Sequence, residues 1–333
     1  MLVTPALTEA NNGNWQTARR WARWLSRDCR VRLTDVWAGG DEDLMIALHA
    51  RRSAPSVRAW AIARAGAGRP LLLVLTGTDL YRDIEHDASA QQSLQLADRL
   101  VVLNALGLAR LPAALHRKAS VLLQSSPARR PARKTSRHLR ALMVGHLRDE
   151  KSPQTYFEAA RQLAGRADIQ LDHIGAALDP ALGDQARALA AACPHYRWLG
   201  AQPHAATRAR IQAAHVLVHA SRMEGGAHVV IEAVTSGTPV IASRIDGNLG
   251  LLGVDYPGCF AWGDSAALAA LLARARDDAA MLPGLAALCA QRAALFSPDR
   301  ERQTLLDLVR PLLAPPRRLT WPDRRPPLRW NPP

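Results

Sequence analysis

Two glutamates flank a double glycine in the second half of the sequence. Glu224 precedes Gly225 and Gly226, and Glu232 follows them, with seven residues between the two acids. The apolar segment 216–219 lies just before this stretch and predicts a buried strand. A strand, a glycine turn and a helix start leave backbone N–H groups unpaired, which favours an anion such as a diphosphate. Carboxylates beside that anion could accept hydrogen bonds from sugar hydroxyls.

Polar side chains also follow two predicted strands in the first half, at 44–49 and 71–75. Ligands bind outside the carboxyl ends of the strands in open α/β sheets, so these side chains should face a common cleft. Two neighbouring arginines are placed there to meet an anion, and an aspartate could orient them or a sugar. The residues are His49, Arg51, Arg52, Thr76, Thr78 and Asp79.

Short apolar runs alternate with longer amphipathic segments along the whole chain, which predicts parallel sheets covered by helices. The predicted strands of the first half lie at 2–5, 31–37, 44–49, 71–75, 100–103 and 121–124. Those of the second half lie at 141–145, 169–174, 197–199, 216–219 and 239–242. We therefore expect an α/β protein of two facing, doubly wound, Rossmann-like domains. The first covers residues 1–126, a basic linker 127–138, the second domain 139–313 and a Pro/Arg-rich tail 314–333.

The 333 residues include 43 Lys and Arg against 29 Asp and Glu, a formal charge of +14. This excess suggests an anionic partner, which could be nucleic acid, a membrane surface or a phosphorylated small molecule. No apolar run approaches the ~18 residues of a membrane span. The start of the chain lacks the features of a signal peptide, and four scattered cysteines fit reduced thiols. A cytoplasmic protein is the simplest expectation.

The segment Asp41-Glu42-Asp43 has the D-x-D spacing of a metal site. It precedes a predicted strand instead of following one, so we interpret it as a surface turn. The histidines show no ligand spacing such as H-E-x-x-H. We expect neither a metal nor another cofactor.

The second half resembles the C-terminal domain of the GT-B glycosyltransferases of the family-4 type, which carry a pair of glutamates at this spacing. The resemblance implies that Glu232 binds the ribose of a nucleotide diphosphate sugar and that Glu224 binds the donor sugar. It also implies a donor site that includes Arg222, Gly225, Gly226, Ala227, His228 and Val229.

A second match follows the predicted strand 141–145 and resembles the family's G-R-x-x-x-x-K run. In the family, the arginine and the lysine neutralise the leaving diphosphate. Lys151 matches, but His146 occupies the arginine position, so either His146 donates to the phosphate or Arg148 supplies the charge. We favour Arg148 with Lys151 and His146 close by, because the chain has only three lysines and composition alone would not place one here.

The turn after the first predicted strand lies where the family has a glycine-rich turn near the donor phosphates. Its residues are Asn11, Asn12, Gly13 and Asn14. The signal is weak by itself, since any turn between a strand and a helix can contain glycine. We place Gly13 and Asn14 in the donor site, and Asn11 and Asn12 with the acceptor.

Several motifs together resemble a narrower group, the selenosugar synthases of selenoneine biosynthesis, over most of residues 1–310. The motifs are Asn-x-Gly-Asn, His-Ala-Arg-Arg-Ser, Leu-Thr-Gly-Thr-Asp-Leu-Tyr, Arg-Met-Glu-Gly-Gly-Ala and Ser-Arg-Ile-Asp-Gly-Asn-Leu-Gly-Leu-Leu-Gly. The resemblance implies that selenophosphate is joined to the sugar of a UDP-sugar, UDP-N-acetylglucosamine or UDP-glucose, with formation of a C–Se bond.

The resulting hypothesis is displacement of UDP at the anomeric carbon by selenophosphate in the interdomain cleft. An anionic selenium needs less help from a general base than a sugar hydroxyl does. Arg51 and Arg52 would hold the incoming phosphate, with the polar residues of the first domain around them. The residues expected to be catalytic are Arg148, Lys151, Glu224 and Asp79.

Two alternatives remain open. A conventional hexosyltransferase with a hydroxyl acceptor would share every donor motif. A basic nucleic-acid-binding protein would use the linker and the tail, but the chain has no zinc finger, no RNP-type motif and only 5% aromatic residues. We regard nucleic acid as an improbable partner.

Overall fold

The computed structural model describes residues 1–5, 13–65 and 68–313. These residues form two six-stranded parallel sheets. The first contains β1 Leu2–Val3, β2 Leu33–Thr34, β3 Met45–Leu48, β4 Leu71–Leu75, β5 Arg99–Val102 and β6 Ala119–Val121, in the order β2-β1-β3-β4-β5-β6. The second contains β7 Leu139–Val144, β8 Ile169–Ile174, β9 Tyr196–Trp198, β10 Val216–His219, β11 Val240–Ser243 and β12 Cys259–Phe260, in the order β12-β11-β10-β7-β8-β9.

Helices connect the strands and cover both sheets. Those of the first half are α1 Gly13–Leu25, α2 Ala54–Ala63, α3 Ile84–His86 and α4 Ala88–Leu96. Those of the second half are α5 Pro153–Gln162, α6 Pro180–Ala192, α7 His204–Ala213, α8 His228–Val234, α9 Asp246–Leu252, α10 Ser265–Asp277, α11 Met281–Ala293 and α12 Pro298–Leu313. The predicted α/β class with two doubly wound sheets is confirmed.

Central strands are buried on both faces, as parallel sheets require. Every residue of β4 and β10 is buried, which explains why their apolar runs were visible in the sequence. The predicted strands at 71–75, 169–174 and 216–219 match the structure residue for residue. The predicted strand at 31–37 is reduced to the two half-buried residues of β2 at the sheet edge. Sequence patterns missed β12, because it has only two residues.

The first sheet has a hydrophobic core on each face, and the final helix completes one of them. Leu305, Leu306 and Val309 of α12 pack in the same cluster as Leu2 and Trp21. The expected second domain at 139–313 includes this helix, whereas its buried side chains belong to the first sheet. The chain therefore crosses between the two sheets twice, once through residues 127–138 and once just before α12.

One buried carboxylate anchors α12. The carboxylate of Glu301 accepts hydrogen bonds from Arg20 Nη2 at 2.8 Å and from Trp21 Nε1 at 2.7 Å. It also accepts from the Ser125 backbone N–H at 2.7 Å and from the Ser125 hydroxyl at 2.5 Å. Ser125 lies just before the linker, so this carboxylate fixes both places where the chain passes between the sheets.

Replacing Glu301 with glutamine should lower the free energy of unfolding by about 3 kcal/mol. The substitution leaves the largely buried Arg20 side chain without the counter-charge of the fully buried Glu301, and removing one partner of a buried ion pair typically costs this much. Urea unfolding followed by tryptophan fluorescence measures the effect. Glu158→Gln is the matched control, since Glu158 pairs with Arg161 on an exposed surface, where such pairs contribute little. A loss no larger than in the control would contradict the anchoring role.

Within the described residues, no single helix is long and apolar enough to cross a membrane. α10 and the segment after it satisfy length and composition only as a pair bent by 104°.

Residues 127–138 run over the second domain, where the Arg129 backbone N–H donates to the Thr235 carbonyl at 2.8 Å. Asn11, Asn12 and the tail 314–333, for which the sequence made predictions, lie outside the described residues.

Candidate functional site

The two domains meet where a loop at the carboxyl edge of one sheet contacts a loop at the carboxyl edge of the other sheet. A Cβ added at Gly225 would lie 2.4 Å from the carbonyl carbon and oxygen of Thr76 and 2.8 Å from the nitrogen of Gly77. Gly77 has a φ of +144°, which favours glycine. The double glycine was predicted to let a diphosphate approach. In the structure, Gly225 lets the backbone of the first domain approach.

Asn104 joins the same loop from a second direction. This fully buried side chain donates from Nδ2 to the Gly225 carbonyl at 2.7 Å and to the Tyr81 hydroxyl at 2.8 Å. Farther out, Arg110 Nε donates to Asp246 Oδ2 at 2.6 Å. Backbone, amide and ion-pair contacts thus fix the loop that carries Glu224 against the first domain.

Glu224 and Lys151 form the central ion pair of the site. Lys151 Nζ donates to Glu224 Oε1 at 2.5 Å, and the two side chains are only 18% and 14% exposed. His219 Nε2 lies 3.4 Å from the same oxygen. Burial raises the pKa of Glu224, but Lys151 and His219 outweigh burial and hold the pKa well below its ordinary value. The structure therefore brings together two residues predicted from separate motifs, as an ionised pair.

Glu232 lies on α8 between two histidines. His204 Nε2 is 2.6 Å and His228 Nδ1 is 3.3 Å from Glu232 Oε1. Burial raises the pKa of this carboxyl, yet the two histidines outweigh it and lower the pKa to about 2. His228 also reaches the first domain, since its Nε2 lies 3.1 Å from the Ser125 carbonyl. Sequence reasoning missed His204, which begins α7 and shares no motif with Glu232.

The lowered pKa of Glu232 predicts a specific pH dependence of stability. A carboxyl with a folded-state pKa below its ordinary value of 4.5 stabilises the fold above that value and loses this contribution as the pH falls toward about 2. The unfolding free energies of the wild type and Glu232→Gln should therefore differ most above pH 5 and converge on acidification. Denaturant titrations between pH 7 and pH 3 measure the difference. A difference independent of pH would contradict the prediction.

The basic residues that follow β7 face different partners. Ala176 donates its backbone N–H to His146 Nδ1 at 3.1 Å, so the neutral ring carries its proton on Nε2 and acts as a donor there. Burial and the neighbouring charges of Arg148 and Lys151 lower the pKa of His146. The side chain of Arg148 faces Glu150. Its Nε lies 3.9 Å from Glu150 Oε2 and has no hydrogen-bond partner among the described residues.

Two further donor-site predictions are placed at the edge of this group. The guanidinium of Arg222 lies 3.3 Å from Asp149 Oδ2 and over the ring of Trp262, so it points away from the Glu224 pair. Gly226 abuts Gln124, since an added Cβ would lie 2.5 Å from Gln124 Oε1. Ala227 is buried directly before α8, and Val229 is half-buried within it.

Gly13 and Asn14 form the start of α1. Gly13 is exposed and Asn14 is half-buried. The Gly13 carbonyl accepts a hydrogen bond from the Thr17 hydroxyl at 2.8 Å, and Gln124 Nε2 donates to that hydroxyl at 2.5 Å. Since Gln124 also abuts Gly226, the structure places the start of α1 on the same side as the double-glycine loop.

Asp79 is buried and accepts hydrogen bonds from the backbone. Its Oδ1 accepts the N–H groups of Thr76 and Gly77, each at 2.9 Å, and its Oδ2 accepts the N–H of Ala50 at 2.9 Å. The sequence suggested that this carboxylate orients arginines or a sugar. The geometry shows instead that it ties the turn after β3 to the turn after β4.

His49 is equally enclosed. Its side chain is 2% exposed, Nδ1 accepts the Arg52 N–H at 3.3 Å, and Nε2 lies 3.0 Å from the Thr78 hydroxyl. Burial lowers its pKa. A neutral ring that accepts at Nδ1 carries its proton on Nε2 and therefore donates to Thr78. His49 thus hydrogen-bonds within the loops and holds Arg52 and Thr78 in place.

The arginines of the first domain carry the exposed charge. Arg51 Nε donates to Asp83 Oδ2 at 2.8 Å, and Arg82 Nε donates to Asp83 Oδ1 at 3.1 Å. Arg52 is exposed. Arg82, which motif reasoning did not select, also reaches across the domain boundary, with its Nη1 at 3.6 Å from Glu150 Oε1. Its place in the polar stretch 76–83, just after β4, was the sequence signal that could have drawn attention to it.

Metal-ligand clusters of three or more His, Cys, Asp or Glu are not found among residues 1–5, 13–65 and 68–313. In the D-x-D segment, Glu42 accepts a hydrogen bond from Trp37 Nε1 at 2.9 Å and pairs with Arg32. The middle residue of the segment is therefore already engaged.

Comparison with solved structures identifies the architecture as GT-B. Sucrose-phosphate synthase from Thermosynechococcus elongatus is similar over 93% of this chain and 96% of its own, with a TM-score of 0.73 and 16% identity. Anabaena HepE in complex with UDP is similar over 81% and 79%, with a TM-score of 0.64 and 18% identity. A mutant of S. aureus TarM, in complex with fondaparinux, alpha-GlcNAc-glycerol and UDP, is similar over 81% of this chain, which spans 55% of TarM, with a TM-score of 0.63 and 11% identity.

Family comparison is more specific for the second half. Residues 124–282 match the model of the family of glycosyl transferases group 1. The match contains the Lys151–Glu224 pair and Glu232. No curated protein sequence matches the chain.

Proposed function

We propose that this protein transfers the sugar of a UDP-sugar, UDP-N-acetylglucosamine or UDP-glucose, to selenophosphate. The family match supports a glycosyltransferase, and UDP is the ligand named in the Anabaena and S. aureus neighbours. The observation that carries the choice of acceptor is the chemistry of the first domain's loops. In the turns after β3 and β4, the most exposed charges are those of Arg51, Arg52 and Arg82, whereas Asp79, Asp83 and His49 are buried and hydrogen-bonded.

On the donor side, Glu232 is proposed to bind the ribose and Glu224 the sugar. Lys151 would then meet the diphosphate, because it already lies beside Glu224 and can donate to a phosphate oxygen in the same position. The Nε2 of His146 adds a donor just after β7. Preorganised donors of this kind stabilise the charge that develops on a leaving group.

On the acceptor side, a hydroxyl would need a general base. Asp79 accepts three backbone N–H groups, Asp83 lies between Arg51 and Arg82, and His49 is buried with a proton on Nε2. Asp79 is therefore proposed as a positioning residue. An acceptor that is already anionic needs no base and is attracted by the arginines.

In the proposed step, selenium donates an electron pair to the anomeric carbon and forms the C–Se bond. The bond from that carbon to the diphosphate oxygen breaks, and UDP leaves with its electron pair. No proton must be removed from the nucleophile. The transfer thus balances with the two substrates alone.

Mass spectrometry of reactions with each UDP-sugar tests the proposal. We expect a selenium-containing sugar and released UDP only when selenophosphate is present, and less or no product with thiophosphate or phosphate. Transfer to a hydroxyl acceptor without selenophosphate would identify a conventional hexosyltransferase and overturn the proposed acceptor.

We also propose that the reaction needs no metal and takes place in the cytoplasm. All four cysteines are unpaired, as expected of a reducing compartment. Lys151 and His146 supply the donors that a metal would otherwise provide. Activity should therefore survive EDTA within twofold, and inactivation by EDTA with recovery on adding Mn²⁺ would contradict this.

A further inference from the structure

A single carboxylate lies between arginines of the two domains. Arg82 Nη1 of the first domain is 3.6 Å from Glu150 Oε1, and Arg148 Nε of the second domain is 3.9 Å from Glu150 Oε2. Both separations exceed hydrogen-bond distance. The two arginine side chains are each 42% exposed, and the Glu150 side chain is 24% exposed. Glu150 thus offsets part of the positive charge of these two arginines without hydrogen bonding to either.

This arrangement leaves one donor, Arg148 Nε, without a hydrogen bond. The atom is buried, and it has no hydrogen-bond partner among the described residues. A buried donor without a partner is unfavourable, and an arginine donor is best satisfied by an oxyanion. The carboxylate that faces it is too far away to serve.

Glu150 is also built to move. Its backbone is held, because the Arg222 N–H donates to the Glu150 carbonyl at 2.9 Å. Its side chain makes no hydrogen bond in the described structure, so rotation into solvent breaks only two long ion pairs. Partly exposed pairs of this kind contribute little.

We propose that an acceptor with a tetrahedral oxyanion group binds between Arg82 and Arg148, in the position that the Glu150 carboxylate now holds. The incoming anion hydrogen-bonds to Arg148 Nε and to the free N–H groups of Arg82, and Glu150 turns away. Asp83 fixes the Arg82 guanidinium for this purpose through its 3.1 Å contact with Nε. The proposal deepens the proposed function and rests on it for the identity of the acceptor.

This site differs from the acceptor site expected from the sequence. Arg51 donates a hydrogen bond to Asp83, and this bond raises the pKa of Arg51. Arg51 therefore helps to hold Asp83, which in turn positions Arg82. The bound anion would touch both domains at once. Acceptor binding therefore also fixes the position of one domain against the other.

Phosphate binding to the UDP-saturated full-length protein tests the site directly. UDP occupies the donor diphosphate position, and inorganic phosphate is titrated by calorimetry at constant ionic strength. Arg82→Gln and Arg148→Gln should each weaken phosphate binding about tenfold, because each removes a charged donor. Glu150→Gln, which keeps the shape of the side chain, should tighten binding about tenfold, because the competing anion is lost.

Asp149→Asn is the matched control for Glu150→Gln. Asp149 is the adjacent acid, but it pairs with Arg222 and is 77% exposed, so its loss should change phosphate affinity less than twofold. Circular dichroism of each variant checks that it is folded. Unchanged affinity in Arg82→Gln, or equal gains in Glu150→Gln and Asp149→Asn, would overturn the site.

The two proposals fail in different ways. If wild-type protein forms no selenium-containing product but the phosphate titrations follow the expected pattern, the anion site is supported and the proposed acceptor falls. If the product forms while Arg82→Gln retains the wild-type affinity for phosphate, the site falls and the proposed function remains.

Discussion

Replacing Lys151 with methionine should lower kcat of sugar transfer by about 10²–10³-fold. This is the usual loss when one preorganised donor to a developing negative charge is removed. Lys151 Nζ lies 2.5 Å from Glu224 Oε1 in a largely buried position, so its removal also takes from Glu224 one of the two groups that lower its pKa. Release of UDP from each candidate donor, measured at saturating acceptor, gives kcat directly.

Lys151→Arg is the control for charge. Because the guanidinium keeps the cation beside Glu224, this variant should recover at least a tenth of the wild-type rate. Thermal unfolding of both variants separates a catalytic loss from a folding defect. If the methionine variant turned over within threefold of the wild type, Lys151 would have no role in stabilising the leaving diphosphate.

Adding one methyl group at Gly225 should reduce activity about 10²-fold by displacing one domain from the other. The new Cβ would lie 2.4 Å from the carbonyl carbon and oxygen of Thr76, and both are backbone atoms that cannot rotate away. Relief requires the loop or the whole domain to shift, and shifts of about 1 Å at an active site can cost this much. Small-angle scattering should show a larger radius of gyration for Gly225→Ala.

Gly284→Ala is the matched control. An added Cβ at this position in α11 meets nothing within 4 Å, so the same substitution should leave both activity and radius of gyration unchanged. Unchanged activity in Gly225→Ala would mean that the contact with Thr76 is not part of the active arrangement.

The fold was largely predictable because strands buried in parallel sheets are rich in apolar residues. β4 and β10 lie at the centres of their sheets and were located to the residue. β8 was also located to the residue, although it contains Gln170, Asp172 and His173. The weak predictions fall at sheet edges, where β2 and β12 are two residues long and have few neighbours to cover. The pairing of Glu224 with Lys151 was also within reach, because both follow strands that are adjacent in the sheet.

The functions of individual polar groups were harder to predict, because they depend on what each group faces. Asp79 looked available for catalysis, yet the turns on either side direct three backbone N–H groups at it. His204 carried no motif, and Arg82 was not selected within its polar stretch 76–83. Only the folded chain brings them to Glu232 and Glu150. Gly225 looked like a phosphate-binding glycine, but the first domain occupies the space beside it.

The return of α12 to the first sheet has a consequence for synthesis. Leu305 and Leu306 cover a face of the sheet that begins at Leu2, and they leave the ribosome only after the second sheet is complete. Domains usually mature in the order of translation. Here one face of the earlier sheet, which α1 covers only in part, must wait for α12, while the later sheet can finish first. The nascent first domain is therefore the part of this protein that should depend most on chaperones.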